Sequence, residues 1–214
     1  MKEENRVEVK LLWVTPEPEK AIEIAYRNCW QTKLNEKTRS KFIQNRIKEG
    51  HLSPLEFAEA TFEIVGSRVF THQLVRHRMA SYAQESQRYV QIKDPDYFVV
   101  PPKIADNPKA LEIFEKAVKT CFEAYSELLE LGIPKEDARY LLPNATKSKI
   151  LVKMNFRAWR HFLKLRCEAS AQWEIREIAE KILIILYHLA PSVFEDLYQK
   201  FILKLQVPLL TERD

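Results

Sequence analysis

The chain has 214 residues, of which 46% are hydrophobic, 30% charged and 11% aromatic, which bounds it to one sizeable core and excludes a disordered or collagen-like chain. Its 34 Lys and Arg against 30 Asp and Glu leave a net charge of +4, too small for bulk attraction alone to demand a nucleic-acid partner. The longest apolar stretch, residues 182–190, is too short to cross a bilayer and no apolar run follows the charged start, so neither a membrane anchor nor an export signal is expected.

In chain order, residues 7–14 (VEVKLLWV) predict a first strand. Thr15 and Pro16 then offer an N-cap and a first-turn proline for a helix to about Trp30. A second helix is expected over 36–49, stopped by Gly50, and the turn HLSP leads into strand chemistry at 57–65 (FAEATFEIV). A helix beginning near Ser67 runs into a polar segment at 76–89, and Asp94, Pro95 and Asp96 break the chain before the short apolar YFVVPP. Residues 108–131 predict a long helix ending at Gly132, 133–142 a short helical turn, and 145–155 an extended segment. From Phe156 the pattern is helical, with Ile175, Ile178, Ile182, Ile185 and Leu189 on one face. Leu183, Ile184 and Leu186 add apolar surface on other sides, which suggests a subunit interface; Ser192 and Glu195 form a capping box for a last helix. No repeat or linker divides the chain, so a single domain over residues 1–214 is expected.

Chemistry concentrates in a few places. The only glycines, Gly50, Gly66 and Gly132, are too scattered for a GxGxxG turn or a P-loop, which makes arginine the default ligand for any phosphate. Three separated cysteines, Cys29, Cys121 and Cys167, read as free thiols in a reducing cytoplasm and give no metal-binding spacing. The segment 76–89, RHRMASYAQESQRY, carries more fixed donors than packing needs and suits phosphate, carbonyl and ring-edge groups of a nucleotide. If it is extended, Arg76 and Arg78 face one side and His77 the other. Further polar clusters are His51, Ser53 and Glu56; Arg139 in ARYLLP; and Asn155, Arg157, His161 and Arg166. Arg157 and His161 share a helical face, whereas Arg166, nine residues beyond Arg157, falls on roughly the opposite side at about 100° per residue.

Arg76, His77, Arg78 and, after seven residues, Ser86 match the RHR-x7-S signature, and the chain resembles the flavin-dependent thymidylate synthases. The Gly50–Ser53–Glu56 segment, the Arg before Leu-Pro, the 155–166 cluster and AQWEIR at 171–176 follow in the order the family has them. The resemblance implies an α+β fold, a mostly antiparallel sheet flanked by long helices, and a homotetramer whose active sites draw on several subunits. It implies reductive methylation of deoxyuridine monophosphate (dUMP) to thymidylate, with 5,10-methylenetetrahydrofolate as carbon donor and NADPH as reductant through FAD.

Carried over residue by residue, Ser53, Arg76, His77, Arg78, Gln84, Asn155, Phe156, Arg157 and His161 are expected at the flavin. Gln73, Leu74, Val75, Arg76, Gln84, Glu85, Ser86, Gln87, Arg88, Arg139 and Arg166 are expected at dUMP, with Arg166 the residue that activates the pyrimidine. Ala83 and Gln84 stand where many relatives have Asn and Glu, and His161 where several have Asn. Two other readings remain open from residues alone: a single-strand nucleic-acid binder using the Arg and Tyr side chains, and a flavoprotein that oxidises NADPH for another purpose.

Overall fold

Two segments with period-two apolar alternation form the middle of the sheet. In a computed structural model, which describes residues 7–206, the order is β1 (Glu8–Val14), α1 (Pro18–Trp30), α2 (Arg39–Lys48), β2 (Glu59–Ser67), α3 (Arg68–Leu74), β3 (Ser81–Gln84), α4 (Pro102–Ala105), α5 (Pro108–Glu130), α6 (Lys135–Ala138), β4 (Lys147–Asn155), α7 (Phe156–Arg166), α8 (Trp173–Leu189) and α9 (Pro191–Phe201). The strands pair antiparallel in the order β1-β2-β4-β3. Ala60, Phe62 and Ile64 of β2 and Ile150, Val152 and Met154 of β4 are buried at every second position, as one face of a pleated strand requires. Register is fixed at both ends of this central pair: Arg68 N–H donates to Thr146 O at 3.0 Å and Phe156 N–H to Ala58 O at 2.8 Å.

The described chain packs as two compact units, and β2 and β4 each contribute to both. Val65–Leu74 and Ala83–Ile150 make up most of the first. Its core gathers Ile92, Tyr125 and Ala138 with Tyr97, Phe122 and Leu142 against them. Asn107 caps α5 by accepting from Lys109 N–H and Ala110 N–H, and Gly132 takes the positive φ of 82° that ends the helix.

Val9–Ile64, Val75–Tyr82 and residues 151–206 form the second unit. Its core is built on Trp159, fully buried on α7, which packs edge-on against Phe62 at 5.2 Å and Phe162 at 5.5 Å while its indole N–H donates to Ala60 O at 3.1 Å. On the same helix Arg160 is buried and paired bidentately with Asp196 of α9 at 2.7 Å, and it also donates to Val193 O.

Several local expectations change. Thr15 does not cap α1: its hydroxyl accepts from Glu59 N–H at 2.9 Å, tying the end of β1 to the start of β2, and the helix begins at Pro18. The stretch from Phe156 is two helices, because Gln172 accepts from Glu174 N–H and Ile175 N–H and so starts α8 afresh. The capping box at Ser192 and Glu195 does not form. Pro191 already begins α9, Glu19 of α1 accepts from Ser192 N–H at 2.7 Å, and Glu195 bonds Gln44 and Gln199. Phe57 lies in a 3₁₀ turn, Ser53–Phe57, and the strand starts two residues later. The apolar surround of α8 is largely satisfied within the chain, since Ile175, Ile178, Ala179, Ile182, Leu183 and Leu186 are all buried, which removes its use as a sign of a subunit interface. Among the described residues no helix is long and apolar enough to cross a membrane.

Asp196→Ala strands the Arg160 guanidinium in the core and is expected to cost about 3–5 kcal/mol in urea unfolding. Replacing both partners by apolar residues is expected to recover most of that loss. A single-variant loss below 1 kcal/mol would contradict a buried, dependent pair.

Candidate functional site

Three pieces of the second unit surround a cavity of about 810 Å³: the 3₁₀ turn after α2, the loop following α3, and α7. The β4–α7 corner starts the arrangement. Asn155 ends the strand and accepts from Ala158 N–H at 2.9 Å, so the first turn of α7 begins at the rim. The spacing 3, 4 and 7 then places Arg157, Arg160, His161 and Lys164 along the cavity side, while Trp159, Phe162 and Leu163 turn into the core. Leu52, Leu55, Met79, Met154 and Leu165 supply apolar surface beside these charges. A wall mixing apolar patches with guanidinium and ammonium groups suits a flat ring system that carries phosphates.

Residues 75–80 form a turn rather than a strand, so the two-sided placement of Arg76 and Arg78 against His77 does not arise; the two arginines are exposed and the histidine is half-buried. All three line the cavity. Among the described residues no carboxylate pairs with Arg76, Arg78 or Lys164, whereas Arg157 donates to Glu56 at 2.7 Å. That pair is about half-exposed on both sides, 51% and 43%, so it contributes about 0–1 kcal/mol and leaves Arg157 readily available to an incoming anion.

Arg166 also faces this cavity, contrary to the opposite placement its offset from Arg157 suggests. It is the last residue of α7, and its long side chain returns to donate from Nε to His77 Nε2 at 3.0 Å. His77 is held by an edge contact with Phe162 at 5.0 Å and with His161 at 6.1 Å, and its main-chain carbonyl accepts from the Tyr82 hydroxyl at 2.8 Å. Burial, then the charge of Arg166, then His161 push its pKa down from 6.5 to about 4.

The remaining expected residues sit elsewhere. Ser53 opens the 3₁₀ turn and is exposed outside the cavity lining, and the Phe156 ring is buried against Phe194 at 5.1 Å, leaving only its backbone to offer. Val75 is exposed in the second unit. Gln73, Leu74, Gln84, Glu85, Ser86, Gln87, Arg88 and Arg139 belong to the first unit. There the Gln84 amide donates to Thr71 and Ser148 hydroxyls at 3.2 and 3.0 Å, a neutral network that suits an amide at this position. The Ser86 hydroxyl accepts from Arg88 N–H at 3.3 Å, the Gln87 side-chain nitrogen is buried without a partner, and Arg88 pairs with Glu136. Arg139 donates to Glu136 O at 3.0 Å, and burial together with the charge of Arg139 lowers the pKa of Arg68. Arg68, Glu136, Arg160 and Lys164 escaped the sequence reading. For Arg160 and Lys164 a signal existed, the 3 and 7 spacing from Arg157.

The His77 shift has a sign. An unfolded chain takes up a proton near 6.5 while the folded one resists until about 4, so this contribution to stability is complete above 6.5 and is lost as pH falls toward 4. His77→Gln is therefore expected to lose less stability than the parent between pH 7 and 4 in denaturant titrations, and parallel losses would contradict a ring kept neutral.

Comparison with known proteins places the chain in a family. The family described as thymidylate synthase complementing protein matches residues 10–192. A flavin-dependent thymidylate synthase of Geobacter sulfurreducens is 42% identical over 200 residues, covering 89% of this chain and 86% of its own. One from Pyrococcus abyssi is 45% identical over 168 residues, covering 75% and 69%. The crystal structure of a UMP/dUMP methylase, PolB from Streptomyces cacaoi, bound with 5-Br dUMP, shares the fold with a TM-score of 0.82 at 24% identity, over 92% of this chain and 96% of that one. With a family match across most of its length and relatives this similar, the chain belongs to the flavin-dependent thymidylate synthases.

Proposed function

We propose that this protein converts dUMP to thymidylate by reductive methylation, taking carbon from 5,10-methylenetetrahydrofolate and reducing equivalents from NADPH, with FAD as its flavin. The observation that carries the reading is the cavity itself: Arg76, Arg78, Arg157, Lys164 and Arg166 converge beside apolar surface in a chain with no glycine-rich phosphate loop. Those residues fit a flavin dinucleotide, with the cations for its phosphates and Met79, Met154 and Leu165 for its rings. Bound there, FAD supplies hydride and one-carbon transfer chemistry.

The chain's own part is to bind, orient and polarise. The pyrimidine carbon that accepts the methyl group is a weak nucleophile, and drawing charge toward a ring carbonyl and N3 strengthens it. Arg166 suits that task because its Nε is committed to His77, leaving both Nη groups free to address two ring atoms together. Ser86, Gln87, Arg88 and Arg139 are assigned to dUMP, Ser86 as a binding hydroxyl rather than a nucleophile. Asn155, Arg157 and His161 are assigned to flavin along one helix face. The family match spans both units, which supports the whole chain acting as one functional domain. A homotetramer with active sites shared between subunits, in the cytoplasm, completes the proposal; three free thiols suit a reducing compartment.

Arg157→Ala removes a contact to an anionic group worth about 1.5–3 kcal/mol, so FAD is expected to dissociate far more readily while dUMP affinity changes little. Full flavin occupancy in that variant would count against the assignment.

Arg166→Lys keeps the charge and loses the planar fork. It is expected to retain flavin and accept electrons from NADPH, yet to form thymidylate about 10² to 10³ times more slowly under single turnover with flavin reduced beforehand. A parent rate would end the activating role, and loss of flavin would move Arg166 to the cofactor.

A further inference from the structure

The bond between Arg166 and His77 has a direction that decides what each group does. An arginine Nε carries a hydrogen and no lone pair, so it donates, and the His77 Nε2 that it meets at 3.0 Å must accept. His77 is then the neutral tautomer with its hydrogen on Nδ1. Its ring is fixed on the other sides by Phe162 and His161, and its backbone by the Tyr82 hydroxyl. Arg166 has no such enclosure. It is the final residue of α7, followed at once by the Cys167 cap, and it has no carboxylate partner among the described residues.

A guanidinium at a helix terminus has several torsions to lose, and one anchored Nε removes most of that freedom while leaving both Nη groups uncommitted. We infer that His77 is a positioning residue: by accepting from Nε it fixes the plane of the Arg166 guanidinium so that the two Nη groups meet the pyrimidine together. This rests on the proposed role of Arg166 at the pyrimidine and adds to it a reason for a histidine in the middle of the RHR segment. An aromatic residue alone would pack on Phe162 but would leave Nε unpaired. The groups facing His77 favour the neutral acceptor, for they are cationic or neutral: Arg166 and His161 on α7, and Arg76 and Arg78 beside it in the loop. Glu56, the cavity's carboxylate, is paired with Arg157.

The test compares His77→Gln, His77→Asn and His77→Phe. Glutamine places a carbonyl oxygen near the position of Nε2, asparagine falls short of it, and phenylalanine keeps the ring without an acceptor. Methyl transfer is measured under single turnover with the flavin reduced beforehand, alongside flavin content and dUMP affinity. His77→Phe and His77→Asn are expected to slow methyl transfer about 10- to 100-fold with flavin content retained, the scale seen when the partner that orients a functional group is removed. His77→Gln is expected to recover to within about 5-fold of the parent, because the acceptor is restored. In the Arg166→Lys background, His77→Phe is expected to add little, since the fork it positions is gone. A parent rate in His77→Phe, or a glutamine variant as slow as the phenylalanine one, would overturn the positioning role. The Arg166→Lys protein alone separates the two ideas: if it reacts at the parent rate, the reading of Arg166 falls first, whereas a slow Arg166→Lys with a fast His77→Phe sinks the inference about His77 only.

Discussion

The docking of α7 is the constraint on which the rest depends. Trp159 wedges between Phe62 and Phe162 and bonds the β2 backbone, while Arg160 clamps α9 through Asp196. With one side of the helix fixed in this way, 3.6-residue periodicity leaves Arg157, His161 and Lys164 no direction other than the cavity. The apolar core thus decides where the cations stand. Their mutual repulsion has to be offset by that packing, because Glu56 alone among the lining residues carries the opposite charge.

A cavity so short of counter-charge is an electrostatic trap for anions. Where glycine-rich folds cradle phosphate with backbone N–H groups, this chain has only three glycines and uses side chains instead. Guanidinium groups keep their charge at any working pH, and His77 among them is kept neutral first by burial and then by the charge of Arg166, which lower its pKa to about 4. A neutral imidazole has an acceptor nitrogen, and that acceptor is what Arg166 uses.

Much of this was legible in the sequence because the telling residues are polar where packing would prefer otherwise. RHR and the Asn155–Arg157–His161 spacing read through to the cavity, and the extended segments expected at 57–65 and 145–155 appear as strands at 59–67 and 147–155. What failed to read involved a partner distant in sequence. Thr15 and Ser192 have cap chemistry, but Glu59 and Glu19 claim the groups concerned from 44 and 173 residues away. Arg166 was placed by the angle of its Cα, and a side chain that long at a helix end reaches back further than the angle allows for. Arg160 and Lys164 were on the readable face, yet ordinary surface charges look the same until the cavity is seen.

The most direct test of the central claim is a titration of purified protein with FAD, followed by visible absorbance and quenching of tryptophan fluorescence. Saturable binding, or a protein already yellow as purified, is expected, with reduction of the bound flavin by NADPH and formation of thymidylate once dUMP and methylenetetrahydrofolate are added. A colourless protein that does not take up FAD, and that instead binds single-stranded nucleic acid with a steep salt dependence, would contradict it.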